Sequence, residues 1–202
     1  ANLEKAGAAA VRGMNFAWQG QSCGSTSRLM LHEDVYDTVL PIVLDRIGKM
    51  RAGDPLDPTA SMGPMNSQMQ YDKTMRYIEI AKQDGATLVA GGKRPAGPEF
   101  EKGFWVEPTV FTDVTMDMRI ATEEVFGPVL SVLKWRDIDE AIEIANAVDY
   151  GLTASIWTRD LDLALRLVRS VEAGYVWVNG TGTHFRNVPH GGFKNSGTGR
   201  EE

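Results

Sequence analysis

Cys23 is the single cysteine of the chain, and its surroundings invite a chemical reading. It sits in Gly20-Gln21-Ser22-Cys23-Gly24, a loop of small residues, rather than on an apolar helix face. A thiolate is a strong nucleophile, and flanking glycines let a substrate approach the backbone N–H groups closely. Against this stands the commoner role of a lone cysteine, that of a small buried hydrophobe. A second candidate is Glu123-Glu124-Val125-Phe126-Gly127-Pro128. There a carboxylate can accept hydrogen bonds from a sugar diol, Phe126 offers a face to a planar ring, and a Gly-Pro turn leads into an apolar run. Solvated loop acids are the ordinary alternative. A third is the glycine-rich stretch 175–200, which lacks Asp and Glu and holds His184, His190, Arg186, Lys194 and Arg200. Such a stretch either lines a pocket or crosses the edge of a sheet as a surface loop.

Composition narrows the field. With 21 basic and 27 acidic residues the formal net charge is −6, and no basic stripe is present, which argues against a nucleic-acid partner. At 43% hydrophobic and 24% charged the chain reads as an ordinary soluble globular domain. Its apolar runs are only a few residues long, as in Pro41-Ile42-Val43-Leu44, too short for a membrane span. One cysteine rules out a disulfide framework and a four-cysteine zinc site and suits a reducing, cytoplasmic compartment. The three histidines show no metal-ligand spacing, so no metal is expected. No signal-peptide pattern is visible, and the chain opens at Ala1, which methionine removal and excision from a longer protein explain equally well. Neither G-x-G-x-x-G nor G-x-x-x-x-G-K-[ST] occurs.

The elements that must position these residues alternate. A helix is expected from Leu3 to Ala17, capped by Asn2, and a short strand from Ser27 to Leu31. Tyr36, Val39, Leu40, Val43 and Ile47 keep a helical period, in which Pro41 suits only a first turn or a kink. Loop residues fill 51–66. Tyr71, Met75, Ile78 and Ala81 mark another helix, stopped by Gly85. Strands are expected from Thr87 to Ala90, from Phe104 to Phe111 with a break at Pro108, and from Val129 to Trp135. A helix opens at Ile138, and a helix from Leu161 to Val171 separates strands from Ala154 to Thr158 and from Tyr175 to Asn179. This alternation predicts an α/β fold, a mainly parallel twisted sheet flanked by helices. Ligands of such sheets gather at the carboxyl ends of the strands.

Four blocks in order then carry a family resemblance. Gly20-Gln21-Ser22-Cys23 with Arg28, Glu123-Glu124-Val125-Phe126-Gly127-Pro128, Asn146 with Tyr150-Gly151-Leu152, and Pro189-His190-Gly191-Gly192-Phe193-Lys194-Asn195-Ser196-Gly197 followed by Gly199-Arg200-Glu201 together resemble the aldehyde dehydrogenase superfamily. The match runs from about Asn2 to Glu201. The resemblance implies that residues 1–202 are a catalytic domain, with the family's dinucleotide-binding domain lying upstream and its oligomerisation strand lying beyond the chain.

By the same resemblance Cys23 is the nucleophile that attacks an aldehyde carbonyl, and its backbone N–H is part of an oxyanion hole. NAD or NADP is the implied cofactor. Glu124 matches the carboxylate that holds the nicotinamide ribose, Phe126 the aromatic beside it, and Gln70 and Lys73 further ribose contacts. The loop from Gly180 to His190, with Gly182 and His184, corresponds to the substrate-facing loop. Many members carry an aromatic residue where His190 stands, so a pocket more polar than one for long aliphatic aldehydes is expected. The family's general-base glutamate and its oxyanion asparagine lie upstream of Ala1, so the isolated chain is expected to be inactive. The full-length protein is expected to be a homo-oligomer acting on a small aldehyde. A CoA-acylating relative and a non-catalytic structural homologue are the competing readings.

Overall fold

Residues 129–135 read Val-Leu-Ser-Val-Leu-Lys-Trp, and the first five are buried. An unbroken buried strand of this kind lies between two covered faces. The computed structural model, which describes residues 2–201, shows both covers. In chain order the helices and strands are α1 (Leu3–Gly13), β1 (Arg28–His32), α2 (Glu33–Gly48), α3 (Gln68–Gln83), β2 (Thr87–Ala90), β3 (Thr109–Thr112) and α4 (Arg119–Thr122). They continue with β4 (Val129–Trp135), α5 (Ile138–Asn146), β5 (Tyr150–Gly151), β6 (Thr153–Ile156), α6 (Leu161–Ser170), β7 (Tyr175–Val178) and β8 (Phe193–Lys194).

The main sheet has the order β1-β4-β3-β2. Strands β1 and β3 run parallel to β4, and β2 closes one edge antiparallel. A separate βαβ unit pairs β6 with β7 in parallel, and β5 pairs antiparallel with β8. The expected mainly parallel α/β architecture is therefore present. The period of two along β4 sorts its side chains between two cores. Val129 and Leu133 join Phe111, Ile78 and Ala81 on the α3 face. Leu130 and Val132 join Val110, Met14, Val43 and Ile47 on the α1–α2 face. Among the described residues no helix is long and apolar enough to cross a membrane.

Three boundaries differ from the sequence expectation. Helix α1 stops at Gly13, not Ala17, because Asn15 (φ 56°) and Gln19 (φ 55°) are left-handed and bracket a short 3₁₀ turn at Phe16–Trp18. That turn drops Phe16 into the α1–α2 core. Pro41 lies inside α2, well past its first turn, because the helix begins earlier, at Glu33, where the His32 ring caps it by accepting from the Asp34 N–H. The extended segment from Phe104 pairs only from Thr109 onward; Pro108 has no N–H to give to a ladder.

Three residues of the family blocks prove to be staples for one helix end. Arg28, at the start of β1, donates Nη1 and Nη2 to the carbonyls of Ile144 (2.7 Å) and Ala145 (3.0 Å). Lys194 Nζ donates to the carbonyls of Asn146 and Val148 and pairs with Glu172. Asn146 donates to the Ser170 carbonyl and accepts from the Glu172 N–H. The carboxyl end of α5, whose last carbonyls have no partner within the helix, thus receives two cations. Arg28 is largely buried, and desolvation pulls its pKa below the ordinary guanidinium value.

Candidate active site

Strands β1, β3 and β4 begin at one edge of the main sheet, with Thr109 beside Val129 and Arg28 beside Ser131. The segment that carries Cys23 is the α1–β1 connection, and the segment that carries Glu124 is the α4–β4 connection. Both therefore reach the amino ends of the strands, not the carboxyl ends where ligands of parallel sheets were expected to gather. One arrives from the α1 side of the sheet and the other from the α3 side. They meet backbone to backbone: a Cβ on Gly20 (φ +65°) would lie 2.2 Å from the Gly127 carbonyl oxygen.

The meeting leaves a narrow crevice of about 40 Å³, bounded by Met14, Ser22, Cys23, Glu124, Phe126 and Gly127 among others. Cys23 is exposed, so it is not the buried hydrophobe of the alternative reading. Its loop is held from outside. The Ser25 N–H bonds the Ser22 carbonyl (3.1 Å), the Asn15 side chain donates to Ser25 Oγ (3.2 Å), and Thr153 Oγ1 donates to the Gly24 carbonyl (3.3 Å). Among the described residues, the N–H groups of Ser22, Cys23 and Gly24 donate to no protein acceptor. Three free donors beside a presented thiol can receive developing negative charge on an oxygen bound there. The same five residues, 20–24, also spell G-x-S-x-G around Ser22, but they link a helix to a strand, the reverse of the strand–turn–helix order that a serine elbow requires.

The two adjacent carboxylates differ sharply. Glu123 accepts from Tyr77 Oη (2.5 Å) and from Arg119 Nε and Nη2 (3.1 Å each). The Arg119 bonds, and then the Tyr77 bond, hold the Glu123 carboxyl below the usual range, while burial and Glu123 push the Tyr77 phenol up. Glu124 is exposed and makes no hydrogen bond or ion pair among the described residues. Next along the turn, Phe126 takes a left-handed φ of 55°, a strain of about 1–3 kcal/mol that its surroundings must offset. Gln70 supplies part of that support. Its Nε2 donates to the carbonyls of Val125 (2.9 Å) and Phe126 (2.8 Å).

The structure thus brings Cys23, Glu124 and Phe126 to one crevice with Gln70 directly behind the turn. It does not bring Lys73 there. Lys73 lies over the Tyr77 ring at 5.9 Å and borders a separate shallow groove with Met69 and Arg76. The substrate-loop residues form a third group. His184 and His190 lie 4.6 Å apart by ring centroids and 5.8 and 5.3 Å from the Tyr175 ring. Their link to the cysteine loop runs through Tyr175, which pairs with Thr153, which in turn bonds Gly24. Gly182 (φ +70°) is exposed with open space around it. His190 Nε2 is buried without a hydrogen-bond partner among the described residues. Among those residues, no group of three or more His, Cys, Asp or Glu could hold a metal ion.

Sequence reading missed Tyr77, Thr74 and Arg119 as supports of the acidic turn. The signal was present: Gln70, Thr74 and Tyr77 stand at i, i+4 and i+7, one stripe of a helix. It was masked because polar residues on a helix read as its solvent side.

Fold and site together define an α/β domain that presents a free thiol beside an unpartnered carboxylate at the amino edge of a parallel sheet. The chain belongs to the aldehyde dehydrogenase family, whose family model matches residues 1–202. It is 53% identical over 194 residues to aldehyde dehydrogenase tropH of Talaromyces stipitatus, a match covering 94% of this chain and 38% of that protein. Among solved structures it resembles 3,6-anhydro-L-galactose dehydrogenase in complex with NAP, at a TM-score of 0.97 and 42% identity, over 100% of this chain and 42% of that one. It also resembles a betaine aldehyde dehydrogenase point mutant of Staphylococcus aureus in complex with NAD+ and with a BME-modified cysteine, at a TM-score of 0.95 and 37% identity, covering 99% of this chain and 40% of that one. The chain spans about two fifths of the length of these relatives.

Proposed function

We propose that these residues are the catalytic domain of an NAD(P)-dependent aldehyde dehydrogenase, with Cys23 as its nucleophile. The observation that carries this reading is the exposed Cys23 thiol, set among three N–H groups without protein acceptors and sharing a crevice with Glu124. The Cys23 thiolate adds to the aldehyde carbon, forming a C–S bond, and the oxygen that becomes negative meets the N–H groups of the 22–24 loop. Loss of hydride from that carbon leaves a thioester on Cys23. Water then cleaves the C–S bond to give the carboxylate and regenerate the thiol. NAD(P), when bound, supplies the hydride acceptor. Glu124, whose oxygens have no donor among the described residues, suits ribose hydroxyls, and Phe126 suits the ring beside them. Lys73 and Gln70 are carried with them as the remaining cofactor-side residues.

Turnover needs more than these residues hold. Missing a general base costs about 10²–10⁴-fold, and missing one oxyanion donor about 10²–10³-fold. The 202-residue chain is therefore expected to react with iodoacetamide at Cys23 near neutral pH yet to reduce no NAD with any aldehyde. Joined to a dinucleotide-binding domain of the family, it is expected to do both. A Cys23 inert until strongly alkaline pH would remove the nucleophile, and steady NAD reduction by the chain alone would remove the division of labour.

The substrate side rests on Gly182, His184 and His190. Two imidazoles against Tyr175, His184 stacked on it and His190 tilted, make a wall with hydrogen-bonding capacity, suited to a small polar aldehyde. In the joined enzyme, His190→Phe is expected to shift kcat/KM toward long aliphatic aldehydes by about tenfold relative to polar ones, the discrimination typical of exchanging a polar contact for an apolar one. An unchanged ratio would exclude His190 from the pocket. The same reading has the enzyme working in the cytoplasm as a homo-oligomer, without a nucleic-acid or membrane partner, in keeping with the acidic charge balance and the single cysteine.

A further inference from the structure

Helix α3 turns one stripe toward the acidic turn. Gln70 spends both amide hydrogens on the carbonyls of Val125 and Phe126, at 2.9 and 2.8 Å. One turn on, Thr74 is fully buried, and its Oγ1 would lie 2.3 Å from a Cβ on Gly127. At the next turn Tyr77, also buried, donates to Glu123. The stripe thus bonds the segment at Glu123, Val125 and Phe126 and packs Thr74, whose Oγ1 has no hydrogen-bond partner, against Gly127, while Glu124 stays unpartnered among the described residues.

We propose that the Gln70–Thr74–Tyr77 stripe of α3 is a positioning device, which sets how far Glu124 and Phe126 stand from Cys23 and thereby the affinity for the nicotinamide end of the cofactor. This rests on the reading that Glu124 and Phe126 meet the cofactor. It assigns Gln70 a role through the turn, where both of its N–H donors are used. Two facts favour positioning over simple packing. The bonds fall on the backbone of the turn and on the neighbour of the free carboxylate, and Phe126 stands in a left-handed conformation that an unsupported turn does not keep.

The test uses Gln70→Leu and Tyr77→Phe in the chain joined to its dinucleotide-binding domain, with Glu124→Gln as the reference. KM for NAD is expected to rise about tenfold in both stripe variants, with KM for aldehyde and the Cys23 alkylation rate within twofold of the parent. A fluorinated phenylalanine at Phe126 is expected to change from a single fluorine resonance to several or to a broadened one. Three outcomes would overturn the proposal. If Glu124→Gln raises KM for NAD while the stripe variants do not, the cofactor reading stands and the positioning role fails. If the stripe variants lower thermal stability and shift both KM values together, the stripe only holds the fold. If Glu124→Gln leaves KM for NAD unchanged, the underlying reading fails first.

Discussion

Cys23→Ala, in the chain joined to a dinucleotide-binding domain, is expected to lower kcat for aldehyde oxidation by at least about 10⁴-fold. Removing a covalent nucleophile deletes the two-step route itself, not one contact along it. At about 1.4 kcal/mol per tenfold, that loss exceeds about 5 kcal/mol of barrier. The structure sharpens the expectation because Cys23 is exposed and belongs to neither core. Thermal unfolding and NAD affinity should therefore stay close to the parent values, so that the lost rate cannot be blamed on the fold. Steady-state formation of reduced cofactor, read beside a melting curve, checks both halves. Activity within tenfold of the parent would end the nucleophile assignment.

Gly20→Ala is expected to be among the most damaging single-methyl changes in the chain. The residue has φ +65°, and its new Cβ would lie 2.2 Å from the Gly127 carbonyl oxygen and 2.6 Å from that carbonyl carbon. The left-handed conformation costs an L-residue about 1–2 kcal/mol. The collision is with backbone, so the cysteine loop and the Gly-Pro turn must separate. Together these give about 3–5 kcal/mol, the range reserved for strain and overpacking in mutational surveys. For a domain of this size that means a fall in Tm of roughly 10 °C. Gly127→Ala makes an instructive partner. Its Cβ meets the Thr74 side chain instead, at 2.3 Å from Oγ1 and 3.1 Å from Cβ. Pairing it with Thr74→Ala should recover most of the lost Tm, whereas no side-chain truncation should rescue Gly20→Ala. Equal rescue of both would show that the two loops are not in backbone contact.

Much of the scaffold was legible from pattern alone. The β-branched and aromatic run at 129–135 announced a strand, and the i, i+3, i+4 periods placed α3, α5 and α6 nearly where they lie. Misjudged boundaries had specific causes. Ala17 extends the helical period on paper, yet two left-handed residues, Asn15 and Gln19, end the helix and send Phe16 into the core. Pro41 breaks a helix by propensity, yet it is tolerated in the middle of α2, where packing of Val39, Val43 and Ile47 prevails. At the site, Cys23 and the acidic turn stood out by residue type. The distinction between Glu123 and Glu124 did not, since two neighbouring glutamates look alike until Tyr77 and Arg119 are found on one of them.

The sequence by itself determined the alternation of helices and strands, the presence of one cysteine in a small-residue loop and one acidic turn, and the family to which their ordered blocks belong. These are local quantities, set by residue type and by spacing along a single element. Only the tertiary structure decided which block residues face the crevice and which serve as staples. Cys23 and Glu124 meet because two connections from opposite faces of one sheet touch at Gly20 and Gly127. Arg28 and Lys194, equally prominent in the blocks, instead converge on the open carbonyls at the end of α5, and Asn146 ties that end to Ser170 and Glu172. That sorting depends on which carbonyls and carboxylates remain unpaired once the chain has closed on itself, and spacing along the sequence does not carry that information.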